Sequence, residues 1–112
     1  MLMGLIYIDY PETLLDSINT PEKLEAFFAK SRDGAVANMG GSLVSEKKLE
    51  ISGNQGMEYN ISIMADSYLA RMQYYIVGTR GYILQIISKK GTEDNEDAKR
   101  FLKSFKLTGT DK

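Results

Sequence analysis

Four residues of this chain, Glu46, Ser62, Arg71 and Lys89, carry the side chains needed to grip an anionic or peptide ligand. Arg and Lys supply charged donors, Ser a hydroxyl, and Glu a carboxylate acceptor. Under the strand registers derived below they fall in one row across the polar face of a sheet. Such a row is either a binding site or cross-strand charge pairing on a half-solvated surface. Glu58, following "GNQGM", is the other candidate acid or base. No second carboxylate or nucleophile is expected beside it, and a lone carboxylate is a poor start for catalysis. "SGNQG" has glycines but lacks the Lys-Ser/Thr pair and the strand-to-helix setting of a phosphate loop, so it reads as a turn.

Composition narrows the chemistry further. There is no cysteine and no histidine among the 112 residues. Disulfides, thiolate metal sites and thiol nucleophiles are excluded, and the commonest general base and pH switch is missing. No catalytic residue, metal site or cofactor is therefore expected. Fourteen basic residues against fifteen acidic ones leave a formal charge of −1. That balance argues against a broad nucleic-acid surface, which normally shows a basic excess. The 43% hydrophobic and 26% charged fractions are those of a globular chain, read here as one domain over residues 1–112. No apolar run approaches the roughly 20 residues needed to span a bilayer. The opening "MLMGLIYIDYPE" has no basic n-region and no small-residue cleavage site, so it does not read as a signal peptide. The compartment is left open.

The elements that position these residues follow from periodicity. "GLIYIDYP" reads as a strand stopped by Pro11, with a polar linker after it. In "NTPEKLEAFF", Thr20 is a natural N-cap, Pro21 suits the first helical position and Glu22 favours the positive end of the dipole. Leu24, Phe27 and Phe28, continued by Ala35, Val36 and Met39, make one buried stripe that ends at Gly40-Gly41. "SLVSEKKLEI" places Leu43, Leu49 and Ile51 at odd positions, and "MEYNISIMAD" alternates strictly from Met57 to Ala65. A two-residue turn at Asp66-Ser67 would set Ala65 opposite Tyr68 and Ile63 opposite Ala70. In "YYIVGTRGYILQI", a three-residue loop Thr79-Arg80-Gly81 would set Leu84 opposite Ile76 and Ile86 opposite Tyr74, with Gly81 left-handed and Arg80 a solvated tip. The last element, "TEDNEDAKRFLKSFKL", spaces Ala98, Phe101, Leu102 and Phe105 as a helical stripe. Glu93, Asp94, Glu96 and Asp97 lie at its start, and Lys99, Arg100, Lys103 and Lys106 behind them.

The order β-α-β-β-β-β-α with short turns is α+β with an antiparallel meander. One sheet face is expected to collect Leu49, Ile51, Tyr59, Ile61, Ile63, Met72, Tyr74, Ile76, Leu84 and Ile86. The other carries Tyr75, Val77, Ile83 and Ile87, a strip that the C-terminal helix would cover. A helix on each face, an α-β-α sandwich, satisfies both.

"RDGAVANMGGSLVSEKKLEISGNQGMEY", "YYIVGTRGYILQI" and "AKRFLKSFKL" together resemble the PsbP-like superfamily, from about Tyr7 to Leu107. Its members include the extrinsic PsbP protein of photosystem II, the Ran guanine-nucleotide release factor that shares the fold, and bacterial proteins of no assigned role. The chain is most like the last group. The resemblance implies the α-β-α sandwich and a non-enzymatic role in binding other proteins. Members usually begin with a β-hairpin before the strand that matches "LIYIDYP", and nothing here corresponds to it. Many bacterial members carry a secretion or lipoprotein signal, likewise without counterpart.

Two functions follow as expectations: a protein-interaction or assembly module, or a carrier of a small molecule or lipid in a pocket between sheet and helix. If the leading hairpin is missing, the segment Leu5–Tyr10 or a neighbouring strand becomes a free sheet edge. A protein partner or a second copy is expected there, giving a homodimer in the latter case.

Overall fold

The structure, a computed structural model, describes residues 2–51, 53–92 and 96–104. Five antiparallel strands form one sheet in the order β1-β5-β4-β3-β2. They are β1 (Leu2–Asp9), β2 (Ser42–Ile51), β3 (Asn54–Ile63), β4 (Tyr68–Val77) and β5 (Arg80–Lys89). Strands β2 to β5 make the expected meander, and β1 returns to the outer side of β5. The helices are α1 (Leu14–Ser17), α2 (Pro21–Met39) and α3 (Glu96–Ser104). The α+β class read from the sequence is the class of the molecule. The single turn α1 lies where only a polar linker is legible.

Helix α2 begins and ends where its local chemistry dictates. The Thr20 hydroxyl accepts the Lys23 backbone N–H at 3.2 Å, and Pro21 opens the first turn. At the far end Gly40 adopts φ 62°, and the Gly40 and Gly41 amides donate back to Ala37 and Val36. Between these stops Ala35, Val36 and Met39 pack on Tyr59, Ile61, Ile63, Ala70 and Met72. Phe28 is buried against Tyr74 and Ile76, its ring edge-on to Tyr74 at 5.7 Å. The Tyr59 hydroxyl donates to the Phe28 carbonyl at 2.9 Å, tying the strand to the helix backbone.

The opposite face of the sheet holds Tyr75, Val77, Tyr82 and Leu84, against which Leu49, Ile51, Phe101 and Leu102 pack. Phe101 and Leu102 come from α3. Phe105, expected to extend that stripe, lies outside the described residues, as do Glu93, Asp94 and Lys106.

Three registers differ from expectation. The β3–β4 pair sets Ile63 opposite Tyr68 and Ile61 opposite Ala70, so the loop is Met64–Ser67 rather than Asp66-Ser67. A slip of two residues keeps every side chain on its expected face. The β4–β5 pair sets Tyr74 opposite Ile83 and Val77 opposite Arg80, leaving a two-residue loop, Gly78-Thr79. Gly78, not Gly81, takes the left-handed backbone, with φ 62° at the first loop position that type II′ turns reserve for glycine. This slip is odd, and an odd slip turns every side chain over. Ile83 and Ile87 therefore belong to the α2 side, and Leu84 and Ile86 to the other. In β2 an irregularity between Leu43 and Ser45 also reverses the alternation, which sends Leu49 and Ile51 away from Tyr59.

Candidate functional site

The predicted row of polar residues does not assemble. Glu46 stands opposite Tyr59 on the α2 side, where its Oε2 accepts Arg32 Nη1 at 2.7 Å. Lys89 stands opposite Tyr68, hence on the same side, exposed at the end of β5. Ser62 and Arg71 lie on the other side, since Ser62 pairs with Leu69 and Arg71 with Asn60. The Ser62 hydroxyl is bound to the Asp66 carboxylate, and Arg71 Nε donates to Asn60 Oδ1 at 2.9 Å. The turned-over β5 and the irregular β2 separate what a simple alternation would align. Glu58 is buried, but as a structural acceptor: Gln73 Nε2 donates to it at 2.8 Å and Lys47 Nζ lies 3.7 Å away.

A groove of about 650 Å³ runs between α2 and the β2–β3 hairpin. Phe28 and Met57 are among its lining residues. On its rim Lys48 closes on Glu25 at 3.0 Å and Arg32 on Glu46 at 2.7 Å. These two pairs neutralise one another, and Glu50, also in the lining, leaves the groove with no cationic excess to attract an anion. Among the described residues no helix is long and apolar enough to cross a membrane.

Among the described residues, the exposed large apolar side chains concentrate on β1. It is the outermost strand, paired to β5 from Leu2 opposite Ile87 to Asp9 opposite Arg80. Every residue of β1 is exposed, and Leu2, Leu5, Ile6 and Tyr7 each keep half or more of their surface. Its apolar side chains alternate to both sides of the sheet, and among the described residues no helix covers either side of it. Isolated apolar side chains on a surface are ordinary, whereas a contiguous apolar strip on an open sheet edge is a candidate docking surface.

Hydrogen-bond phase fixes which backbone groups are available. The Tyr10 amide donates to the Thr79 carbonyl at 2.8 Å, continuing the β1–β5 register. Bonded and non-bonded pairs alternate in an antiparallel ladder, so Leu2, Gly4, Ile6 and Ile8 share Tyr10's phase and face β5. Met3, Leu5, Tyr7 and Asp9 direct their N–H and C=O groups outward. Nothing among the described residues pairs with that outer side.

The charge that would guard this edge is occupied. Arg80 Nε and Nη2 donate to the two Asp9 carboxylate oxygens at 2.7 and 3.2 Å, and the guanidinium lies 4.7 Å from the Tyr7 ring centre. The Asp9 hydrogen bonds, and after them one with the Tyr82 side chain, raise the Arg80 pKa above its ordinary value. Arg80 is thus no free hairpin tip but a clamp between β1 and β5. Sequence reasoning missed it, although an acid ending one strand and a base opening another was the available signal. The other sheet edge is guarded differently. Strand β2 carries Glu46, Lys47, Lys48 and Glu50 and breaks register near Val44, devices that discourage strand addition.

No protein-family model, curated protein or solved structure matches the chain.

Proposed function

We propose that this chain is a non-enzymatic protein-interaction or assembly module, a PsbP-like α-β-α sandwich that docks its partner by strand addition along β1. The observation that carries this proposal is the edge: outward amides at Met3, Leu5 and Tyr7, flanked on both faces by exposed apolar side chains. Main-chain bonds give such a contact its affinity, and alternate side chains give it specificity. The two-sided sandwich is supported by α2 over Tyr59, Ile61 and Met72 and by Phe101 and Leu102 against Tyr75, Val77, Tyr82 and Leu84. The sequence resemblance supports the family.

A fluorescent peptide copying residues 2–9 tests the docking mode on dilute full-length protein. It should raise anisotropy saturably and slow amide exchange at Met3, Leu5 and Tyr7. If those amides are already protected in the dilute protein and the peptide leaves anisotropy unchanged, β1 is not a docking edge.

The groove between α2 and the β2–β3 hairpin favours a second function, a small-molecule or lipid carrier. Native mass spectrometry of freshly purified protein decides it. A retained ligand, lost on Met57→Arg, supports the carrier, and a single unliganded mass opposes it.

A further inference from the structure

Building on that proposal, we infer that the strand added to β1 is β1 of a second copy, paired antiparallel about a two-fold axis at Leu5.

The axis follows from the backbone. A two-fold perpendicular to a sheet keeps each face continuous, so residues of like parity must stand opposite one another. Only the odd residues present outward N–H and C=O groups, so they must form the bonded pairs. Centring on Leu5 lets Leu5 exchange both bonds with the partner's Leu5. Met3 then bonds with the partner's Tyr7, and Tyr7 with the partner's Met3.

The side chains fit the same centre. On one face Leu5 meets the partner's Leu5, and Met3 lies beside the partner's Tyr7, a favourable thioether–aromatic contact. On the other face Leu2 meets the partner's Ile8, and Gly4 stands opposite the partner's Ile6. Gly4 has nothing within 4 Å of where its Cβ would be, so there is room for that isoleucine. The small-to-large match occurs twice by symmetry.

Charge selects against the neighbouring register. No charged residue lies between Leu2 and Ile8, and Asp9 is held by Arg80 just beyond the paired segment. Moving the axis to Ile6 would instead press Asp9 against the partner's Met3. Both copies lose apolar exposure on both faces, and the two sheets join into one. The β2 edges, with their charges and irregularity, end that sheet at both sides and stop further growth.

Two measurements test this. In sedimentation equilibrium over micromolar concentrations the full chain should behave as a reversible monomer–dimer, and Leu5→Lys should weaken the dimer by about tenfold or more, because like charges would face each other. Circular dichroism of Leu5→Lys should match the parent, as an exposed edge position allows. Because the chain has no cysteine, single substitutions report the register. Leu5→Cys should oxidise efficiently to a linked dimer, since directly opposed bonded residues have Cα atoms about 5.5 Å apart, within disulfide reach. Ile6→Cys should link poorly. Preferential linking of Ile6→Cys overturns the Leu5 axis. A monomer at every concentration overturns self-pairing; if the residue 2–9 peptide still docks, the interaction edge stands with a different partner, and if it does not, both proposals fall.

Discussion

The Asp9 carboxylate and the Arg80 guanidinium meet in a fork 71 residues apart in sequence, at the open end of the β1–β5 pair. Both side chains remain substantially exposed, so the contact adds little to global stability. Its effect is local, on the strand with the least cover. Arg80→Ala should leave the denaturation midpoint near the parent value while speeding amide exchange at Tyr10 and the even residues of β1. Exchange in β3 and β4 should be unaffected. Uniform acceleration across the sheet would contradict a local clamp.

The loop Met64–Ser67 holds three successive non-glycine residues at positive φ: 52° at Met64, 55° at Ala65 and 71° at Asp66. Left-handed backbone costs an L-residue roughly 1–2 kcal/mol, partly offset for glycine by its larger unfolded-state entropy. Ala65→Gly should therefore stabilise the protein by about 0.5–1 kcal/mol, the reverse of the usual penalty. Urea denaturation checks this, and a destabilised variant would refute the loop geometry.

Asp66 links that loop to the rest of the sheet. Its carboxylate accepts Lys90 Nζ at 2.7 Å and the Ser62 hydroxyl. The Lys90 hydrogen bond, then that of Ser62, then the Lys90 charge hold its pKa below the usual value. A carboxylate depressed in the folded state stabilises that state above its unfolded pKa and loses the effect as pH falls through the folded one. The loss should begin near the ordinary Asp value of about 3.9 and deepen toward stronger acid. Asp66→Asn should flatten this part of the stability–pH curve. Parallel curves for parent and variant would show that the latch contributes nothing.

Tyr59 spends its hydroxyl on the Phe28 carbonyl inside the core, where burial raises its pKa well beyond the ordinary tyrosine range. Tyr59→Phe removes a second hydrogen bond from a mid-helix carbonyl that keeps its intrahelical amide partner. A cost of about 1–2 kcal/mol is expected, with no change of fold. Chemical denaturation gives the number, and a neutral substitution would mean that the helical bond alone satisfies the carbonyl.

Phe101 of α3 is partly buried against Tyr75, Val77, Tyr82 and Leu84. Phe101→Ala should cost about 2–3 kcal/mol, short of the 3–5 typical of a fully buried phenylalanine. An unchanged midpoint would argue against a helix covering the second face.

Local chemistry alone determined the kinds of element and where they stop. Thr20, Pro21 and Gly40 act within one helical turn, and they delimit α2 in the structure as they do in the sequence. Strict alternation from Met57 to Ile63 likewise fixes which side of β3 is apolar, although Glu58 and Ser62 on its polar side are buried as well. Strands β4 and β5 lack that bias. They carry large apolar residues on both sides, so turning β5 over incurs little hydrophobic penalty, and either Gly78 or Gly81 satisfies a tight turn in isolation. Only the assembled sheet decided between them: Gly78 takes the turn, while Gly81 sits where a Cβ would lie 3.0 Å from the Tyr74 ring and 3.2 Å from that of Tyr10. That choice placed Arg80 opposite Asp9 and Lys89 on the side away from Ser62 and Arg71. The irregularity near Val44 placed Glu46 on that same far side. The family resemblance pointed to Leu5–Tyr10 or a neighbour as the free edge, but that β1 stands beside β5 was a matter of tertiary order, because their pairing joins residues 71 or more apart in sequence, beyond the reach of periodicity or turn signals.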